Sequence, residues 1–456
     1  MKKWIGEIEG IIGDKERIFT DLAHLIPYST DSSTFKNNPD VVVFPENKEE
    51  ISEIVKVCNR EKIPITPRGS GVGYTGGAVP IEGGVLLSLT KMNKILEIDL
   101  DNLIATVEPG VITKTLQDEV KKYGLFYPPD PASLKISTIG GNVAECAGGM
   151  SAVKYGVTKH FVLGMEVVIP TGEILRFGGK VFKNVTGYDL TSLMVGSEGT
   201  LGIMTEIQLK LLPLPEVRRT MMVLFRDMYK GAKTVSEIII NKIIPVAIEF
   251  LDGDSIRCIK DYKNINSWED MDGMLIIELD GKEEDTKRDM KKLEKIVKKM
   301  DGKIFKVAEN EEEREEIWET RRALSPAIGK INNTKVNEDI VVPRNKIPDI
   351  LHKIKEIGKK YNLNIICFGH AGDGNIHTNI MIDGRNLDEV KRSKMAVKEI
   401  FSETIKLGGF ISGEHGIGLA KKPYLKMNLQ KETVELLKRI KRAFDPNNIL
   451  NPGKIF

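Results

Sequence analysis

Little in this sequence offers a metal–sulfur cluster, a disulfide framework or a membrane anchor. Its 456 residues include four cysteines, Cys58, Cys146, Cys258 and Cys367, far apart and without a Cys-x-x-Cys pair. Such spacing makes no iron–sulfur or zinc-finger site and no disulfide scaffold, and it fits a reducing cytoplasm. No apolar run reaches the roughly 18 residues of a membrane span, and the stretch Met1–Glu7 lacks the apolar core of a signal peptide. Neither sign of charge is in excess: 67 Lys plus Arg stand against 65 Asp plus Glu. That balance argues against a nucleic-acid binder that works by neutralising phosphates. Charges in Lys287–Lys299 are interspersed as on a solvated helix face. Histidine is scarce too, with six in the chain, three of them in two short stretches near the C-terminus.

The first stretch runs from Ile366 through Gly369-His370-Ala371-Gly372-Asp373-Gly374-Asn375-Ile376-His377 to Met381. Apolar residues flank a Gly-Asp-Gly turn, which reads as two short strands joined tightly. A turn centred between Asp373 and Gly374 sets His370 opposite His377. Cross-strand partners have Cβ atoms about 4.5–5.5 Å apart, close enough for both imidazoles to reach one metal ion. Asn379 shares a face with His377 because strand side chains alternate. The second stretch, Gly413-Glu414-His415-Gly416-Ile417-Gly418, adds a carboxylate and a third imidazole.

Glycine, unlike cysteine, is plentiful and clustered. Arg68-Gly69-Ser70-Gly71-Val72-Gly73-Tyr74-Thr75-Gly76-Gly77 contains a literal G-x-G-x-x-G. A dinucleotide fingerprint of that kind must open a helix at once. Here Pro80 and Gly83-Gly84 follow, then the strand-like Val85–Leu89, so the Rossmann context is absent. No Gly-Lys-Ser/Thr ends the loop, so it is not a P-loop. What remains is a loop whose backbone N–H groups can face an anion, with Arg68 beside it. Further glycine clusters lie at Thr138–Gly149, Asn184–Leu190 and Gly196–Ile203. Several such loops between short strands suit one extended ligand passed along successive backbone turns.

The length suggests two to three domains. Residues 1–36 read as a helical lead-in, 37–215 as a glycine-rich α+β domain, 216–415 as a second α+β domain with an antiparallel sheet, and 416–456 as a helical tail. Pro213-Leu214-Pro215 is the expected linker, beyond which glycine falls and Lys/Glu helices alternate with strands.

The chain resembles the FAD-linked dehydrogenases of the vanillyl-alcohol oxidase / p-cresol methylhydroxylase type, most nearly the D-lactate dehydrogenases and the flavin subunit of glycolate oxidase. The resemblance rests on Pro67–Gly71, Pro128–Pro131, Gly140–Ala144, Gly196–Gly202, Gly369–His377, Gly413–Gly418 and Asn451–Lys454, in family order over nearly the whole chain. It implies a two-lobed FAD-binding domain, a cap domain, and C-terminal helices returning to the flavin domain. Relatives with histidine at the position of Ser70 can link the flavin covalently, so serine implies unlinked FAD. The resemblance sets Arg68, Gly69, Ser70, Gly71, Gly73, Tyr74, Thr75 and Gly76 around the pyrophosphate. It lines the rest of the FAD with Pro131, Ser137, Thr138, Gly140, Gly141, Asn142, Ala144 and Gly148, and with Glu198, Gly199, Gly202 and Ile203.

It also implies a divalent metal, zinc or else iron or manganese, on His370, His377 and Glu414, with Asn379 beside the substrate and His415 as base. Trp318-Glu319-Thr320-Arg321 matches a Trp-x-x-Arg pattern whose arginine binds the substrate carboxylate, with Arg322 as rival. The implied activity is oxidation of a small D-2-hydroxy acid, best D-lactate to pyruvate, with hydride passing to flavin N5. Glycolate or D-2-hydroxyglutarate are alternative substrates, and a flavin relay subunit is an alternative role. The acceptor is external: an electron-transfer flavoprotein, an iron–sulfur subunit or a quinone. A nicotinamide-linked reductase lacks support in the failed Rossmann context.

Overall fold

Helices form where apolar residues recur every three to four positions, and strands where β-branched and apolar residues run together. The computed structural model describes residues 2–265 and 268–456. Contacts divide the chain into two units, one of residues 1–148, 156–214 and 414–456, the other of 149–155 and 215–413. The expected linker falls at the Leu214–Pro215 boundary. Residues 1–36 lie inside the first unit, residues 414 and 415 group with the tail, and residues 149–155 belong to the second unit.

The first unit has two larger sheets and a two-stranded antiparallel pair, Leu125–Phe126 with Leu212–Pro213. Val85–Ser88 lies between Val41–Val43 and Ile65–Arg68, parallel to both, and Ile18–Phe19 adds an antiparallel edge. Asn47 caps helix Lys48–Glu61 through its side chain. The helix sends Ile51, Ile54, Val55 and Cys58 into a core shared with Trp4, Ile5, Ile8 and Ile12 of helix Lys3–Ile12. Each large aliphatic side chain buried there contributes about 1.5–3 kcal/mol, which explains why the N-terminal helix does not stand apart. The second sheet is antiparallel, in the order Ile95–Asp99, Ile104–Val107, Ile203–Lys210, Val162–Val168, Ile174–Gly178. No helix follows the glycine loop after Arg68, and the next element is the strand Val85–Ser88.

The second unit is built on seven strands: β1 Val217–Phe225, β2 Ala247–Asp252, β3 Gly273–Gly281, β4 Lys303–Val307, β5 Thr334–Val341, β6 Asn364–His370 and β7 Asn375–Ile382. Their spatial order is β4-β1-β3-β2-β6-β7-β5, and all neighbours are antiparallel. Helices Met228–Ile240, Glu283–Lys299, Ile347–Tyr361 and Leu387–Lys406 pack on the sheet. On one face Met222, Leu224, Leu251, Ile276, Ile366 and Met381 cluster with Ile256 and Ile259 of helix Gly253–Lys263 and with Ile317 and Trp318 of helix Glu311–Arg322. The segment 149–155 joins this unit: Tyr155 donates to Asp280 Oδ2 at 2.8 Å, Lys154 pairs with Asp280 Oδ1, and Met150 packs on the apolar cluster.

The hairpin register differs from expectation. His377 lies opposite Phe368, and Asn379 opposite Ile366, so the turn is centred between Gly372 and Asp373. His370 instead pairs with Glu249 on β2. The cause is competition for the turn's backbone. Gly372 N–H donates to Ile248 C=O at 3.3 Å, and Gly374 C=O accepts from Val342 N–H at 3.1 Å. A two-residue turn at Asp373-Gly374 would lose both bonds. The histidines are therefore diagonal neighbours on one face, the arrangement that cross-strand geometry also permits.

Candidate functional site

The polar residues of the second unit gather where its buried face would otherwise be apolar. Glu249 sits at the centre, on β2 between Ile248 and Phe250, with no solvent exposure. Its Oε1 lies 2.5 Å from His370 Nδ1, and its Oε2 accepts from Arg321 Nε at 2.8 Å. Burial pushes the Glu249 carboxyl up, but His370 and Arg321 outweigh it and hold the group below its ordinary range. The carboxylate is thus ionised at neutral pH.

Arg321 reaches Glu249 because its helix is pinned one turn earlier. Asn310 caps that helix by accepting from Glu313 N–H, and Trp318 Nε1 donates to Glu278 Oε2 at 2.7 Å. Residues three apart share a helix face, so fixing Trp318 delivers Arg321 to the sheet. The guanidinium stacks over Phe368, 4.5 Å from the ring centroid. Among the described residues Nη1 and Nη2 have no hydrogen-bond partner, so a donor fork remains for an anion. Arg322, the rival, is exposed and pairs with Glu315.

The His370 and His377 rings are perpendicular with centroids 5.3 Å apart, both buried. Asn379 is fully buried, opposite Asn337 of β5. The Oδ1 atoms of both have no hydrogen-bond partner among the described residues. Lys335 shares the Asn337 face, and burial pushes its ammonium pKa down. Asp339 of β5 is fully buried and accepts from Gly413 N–H at 2.7 Å, which fixes the backbone next to Glu414. His370 and His377 bring two imidazoles to one buried face of the sheet, nitrogen donors of the kind that suit zinc, iron or manganese, and Glu249 engages His370 through Nδ1.

The glycine loops occupy the first unit. Arg68 is buried beneath the loop, its Nη1 donating to Thr30 C=O at 2.8 Å and Ala78 C=O at 3.2 Å, and a side chain at Gly71 would overlap the guanidinium. Arg68 braces the loop from inside. Thr138 caps helix Ile139–Glu145 by accepting from Gly141 N–H, and a side chain at Gly69 would overlap Thr138. Asn142 Nδ2 donates to Thr113 Oγ1 at 2.7 Å, and Thr113 Oγ1 lies 3.1 Å from Ser137 Oγ. A Cβ at Gly140 would come within 3.0 Å of Pro109 C=O, and one at Gly148 within 2.7 Å of Glu414 Oε2. Leu134 N–H donates to Pro131 C=O, and Glu198 N–H to Ala144 C=O. Gly199 takes φ +68, and a side chain at Gly202 would overlap Val167 ahead of strand Ile203–Lys210. Ser197 Oγ is buried without a hydrogen-bond partner among the described residues. Loops bare of Cβ atoms together with an orphaned hydroxyl fit a dinucleotide whose polar atoms meet backbone.

Glu198 is engaged inside the protein. Its oxygens accept from Ile417 N–H and Gly418 N–H, both at 2.7 Å, and Asn451 Nδ2 donates to its C=O. It holds the bend that follows His415. The His415 C=O accepts from Thr75 Oγ1 at 3.2 Å, and its ring lies 5.0 Å from Tyr74. Ser70 and Gly76 lie on the same loop, with Ser32 N–H donating to Gly73 C=O. Sequence reasoning missed Glu249, Asn337 and Asp339. The readable signal was a carboxylate beside apolar residues in β2, Ala247–Asp252, and in β5, Thr334–Val341.

Residues 39–178 match the family model described as an FAD binding domain, and residues 214–455 the model of FAD linked oxidases, C-terminal domain. The chain is 49% identical over 430 residues to a protein named glycolate oxidase subunit GlcD from Bacillus subtilis (strain 168), covering 94% of this chain and 92% of that one. It is 38% identical over 430 residues to a D-lactate dehydrogenase from Anaerostipes hadrus, covering 92% and 90%. The crystal structure of p-cresol methylhydroxylase with substrate bound superposes with a TM-score of 0.81 at 21% identity, covering 99% of this chain and 96% of that one, and shares the fold. With the glycine loops of the first unit and the antiparallel sheet of the second both accounted for, the chain belongs to the FAD-linked oxidase family and is an FAD-linked oxidoreductase.

Proposed function

We propose that the protein oxidises a small D-2-hydroxy acid, D-lactate by preference, to the 2-oxo acid and hands the electrons to an external carrier. The observation that carries this reading is the Arg321 side chain, pinned through Nε on buried Glu249 with Nη1 and Nη2 unspent. A planar fork of that kind suits a carboxylate bidentately. The names borne by the relatives, a glycolate oxidase subunit and a D-lactate dehydrogenase, support the same substrate class.

Bound FAD supplies the acceptor for the hydride from C2. A divalent cation on His370, His377 and Glu414 supplies Lewis-acid polarisation of the substrate hydroxyl. The chain's residues do the rest. Arg321 holds the carboxylate and fixes which face of C2 is presented. Asn379 offers an amide beside His377 that hydrogen-bonds substrate oxygen. His415 takes the hydroxyl proton on an imidazole nitrogen, so that loss of the proton and of the hydride leaves a carbonyl. Ser70 carries no imidazole to attack a flavin, so FAD is held without a covalent bond.

Glycolate is the competing substrate, and the word subunit in the Bacillus relative's name favours an electron-accepting partner chain, an iron–sulfur protein or an electron-transfer flavoprotein. The deciding experiment is an anaerobic absorbance titration of metal-analysed protein with D- and L-lactate, glycolate and D-2-hydroxyglutarate. Bleaching of the flavin band by D-lactate, lost on chelation, is expected. Bleaching by glycolate alone would reassign the substrate. A yellow protein that none of these acids reduces, yet which exchanges electrons with a carrier, would overturn the reading in favour of a relay.

A further inference from the structure

The most demanding group in the second unit is one to which the proposed reaction assigns nothing. Glu249 is fully buried on a central strand, and a charge so placed survives only when its lone pairs are satisfied. It has two charge-assisted partners, one for each oxygen. Oε1 meets His370 Nδ1 at 2.5 Å, and Oε2 meets Arg321 Nε at 2.8 Å. One partner is a metal-ligand candidate and the other is the candidate anchor for the substrate carboxylate. The two come from strands and helices far apart in sequence, and the carboxylate is the shared bond between them.

We infer that Glu249 is a positioning residue that couples cation binding to recognition of the substrate carboxylate. The inference deepens the proposed function and rests on its assignment of His370 and Arg321. On the His370 side, an acceptor at Nδ1 fixes the tautomer with hydrogen on Nδ1. It orients the ring and makes Nε2 the more basic donor to a cation. On the Arg321 side, the same carboxylate occupies Nε and one edge of the guanidinium. The stacking on Phe368 fixes the plane, and the fork Nη1/Nη2 is the edge left for an anion. Each function needs the carboxylate in the same place. Displacing it toward one partner weakens the other, so cation affinity and substrate KM move together, and by linkage each ligand strengthens the other.

An amide cannot serve both sides. In Glu249→Gln one atom facing the partners is an oxygen and the other an NH2 group, and both His370 Nδ1–H and Arg321 Nε–H are donors. Whichever way the amide turns, one donor meets a donor. The size of the side chain is preserved, so folding is tested separately by the melting temperature. Asp252→Asn is the control, since Asp252 is a second buried carboxylate on the same strand, accepting from Ser255 N–H at 2.8 Å and Cys367 N–H at 2.9 Å.

The experiment uses the full chain with FAD. Zinc affinity is measured by competition with a chromophoric chelator, and KM and kcat are measured with D-lactate on zinc-saturated protein. For Glu249→Gln the expected result is roughly 10–100-fold weaker zinc binding and a KM raised by about tenfold or more, with kcat less affected than KM. Asp252→Asn is expected to keep wild-type zinc affinity and KM. Glu249→Gln with both quantities unchanged, or with only one altered, overturns the coupling. So does an Asp252→Asn variant that loses zinc to the same extent, because the effect would then be general loosening of the sheet. Wild-type protein that binds no zinc, iron or manganese would instead refute the assigned cation site, a result recognisable before any variant is made.

Discussion

Replacing Arg321 with alanine removes the donor fork and leaves buried Glu249 with one partner. A charge-assisted hydrogen bond is worth about 1.5–3 kcal/mol, so kcat/KM for D-lactate should fall about 10- to 150-fold, mostly in KM. Arg322→Ala, on the exposed face beside Glu315, should change stability by no more than about 0.5 kcal/mol and leave steady-state kinetics alone. Steady-state kinetics on the two variants checks both, and equal losses would sink the assignment. His415→Ala should retain FAD, as judged by the visible spectrum, yet slow flavin reduction by about 10²-fold or more in stopped flow. Wild-type single-turnover rates would remove the residue from the chemistry. Reading Arg321 from sequence needed a family pattern, because Arg-Arg at a helix end says nothing about which side chain turns inward. The structural answer comes from Trp318 and Glu278, a buried bond between residues 40 apart.

At the scale of elements, the hairpin β6–β7 depends on Gly374, which takes φ +90 and leaves no room for a side chain against Val342 C=O. Gly374→Ala forces a strained backbone costing about 1–3 kcal/mol and displaces β5 or the turn. The expected result is a lower melting temperature together with weaker metal retention, since His370 and His377 flank that turn; a variant with wild-type values for both would show that the turn tolerates rearrangement. The same turn marks the limit of sequence reading. Strand identity and the shared face of the two histidines were legible, because apolar runs and alternation are local. The register was not, because it is set by Ile248 on β2 and Val342 just after β5, which bind the turn's backbone. Glycine loops were legible as loops bare of Cβ atoms. The inward employment of Arg68 and Glu198 was not, since their partners at Thr30, Ala78, Ile417 and Gly418 come together only in the fold.

At the scale of the molecule, acid should act first through buried carboxylates. Burial pushes Glu278 up, but Arg314 and Arg218 with Thr220 more than compensate and hold it below the ordinary carboxylate range. Its folded pKa lies under its unfolded value of about 4.3, so its stabilisation is complete above that pH and is lost as pH falls further. Melting temperature should therefore drop steeply below about pH 4.3, and Glu278→Gln should flatten that slope while lowering stability at pH 7. Parallel slopes would exclude Glu278 from acid unfolding. No helix among the described residues is long and apolar enough to cross a membrane. The seven residues 149–155, whose Lys154 and Tyr155 bind Asp280, belong to a unit otherwise encoded 60 residues later, beginning at 215. The second unit is thus inherited in two instalments. A chimera that imports 215–413 from a relative receives a foreign docking surface for a native segment, and compatibility between Asp280 and positions 154 and 155 becomes a condition on which relatives can exchange this unit by recombination.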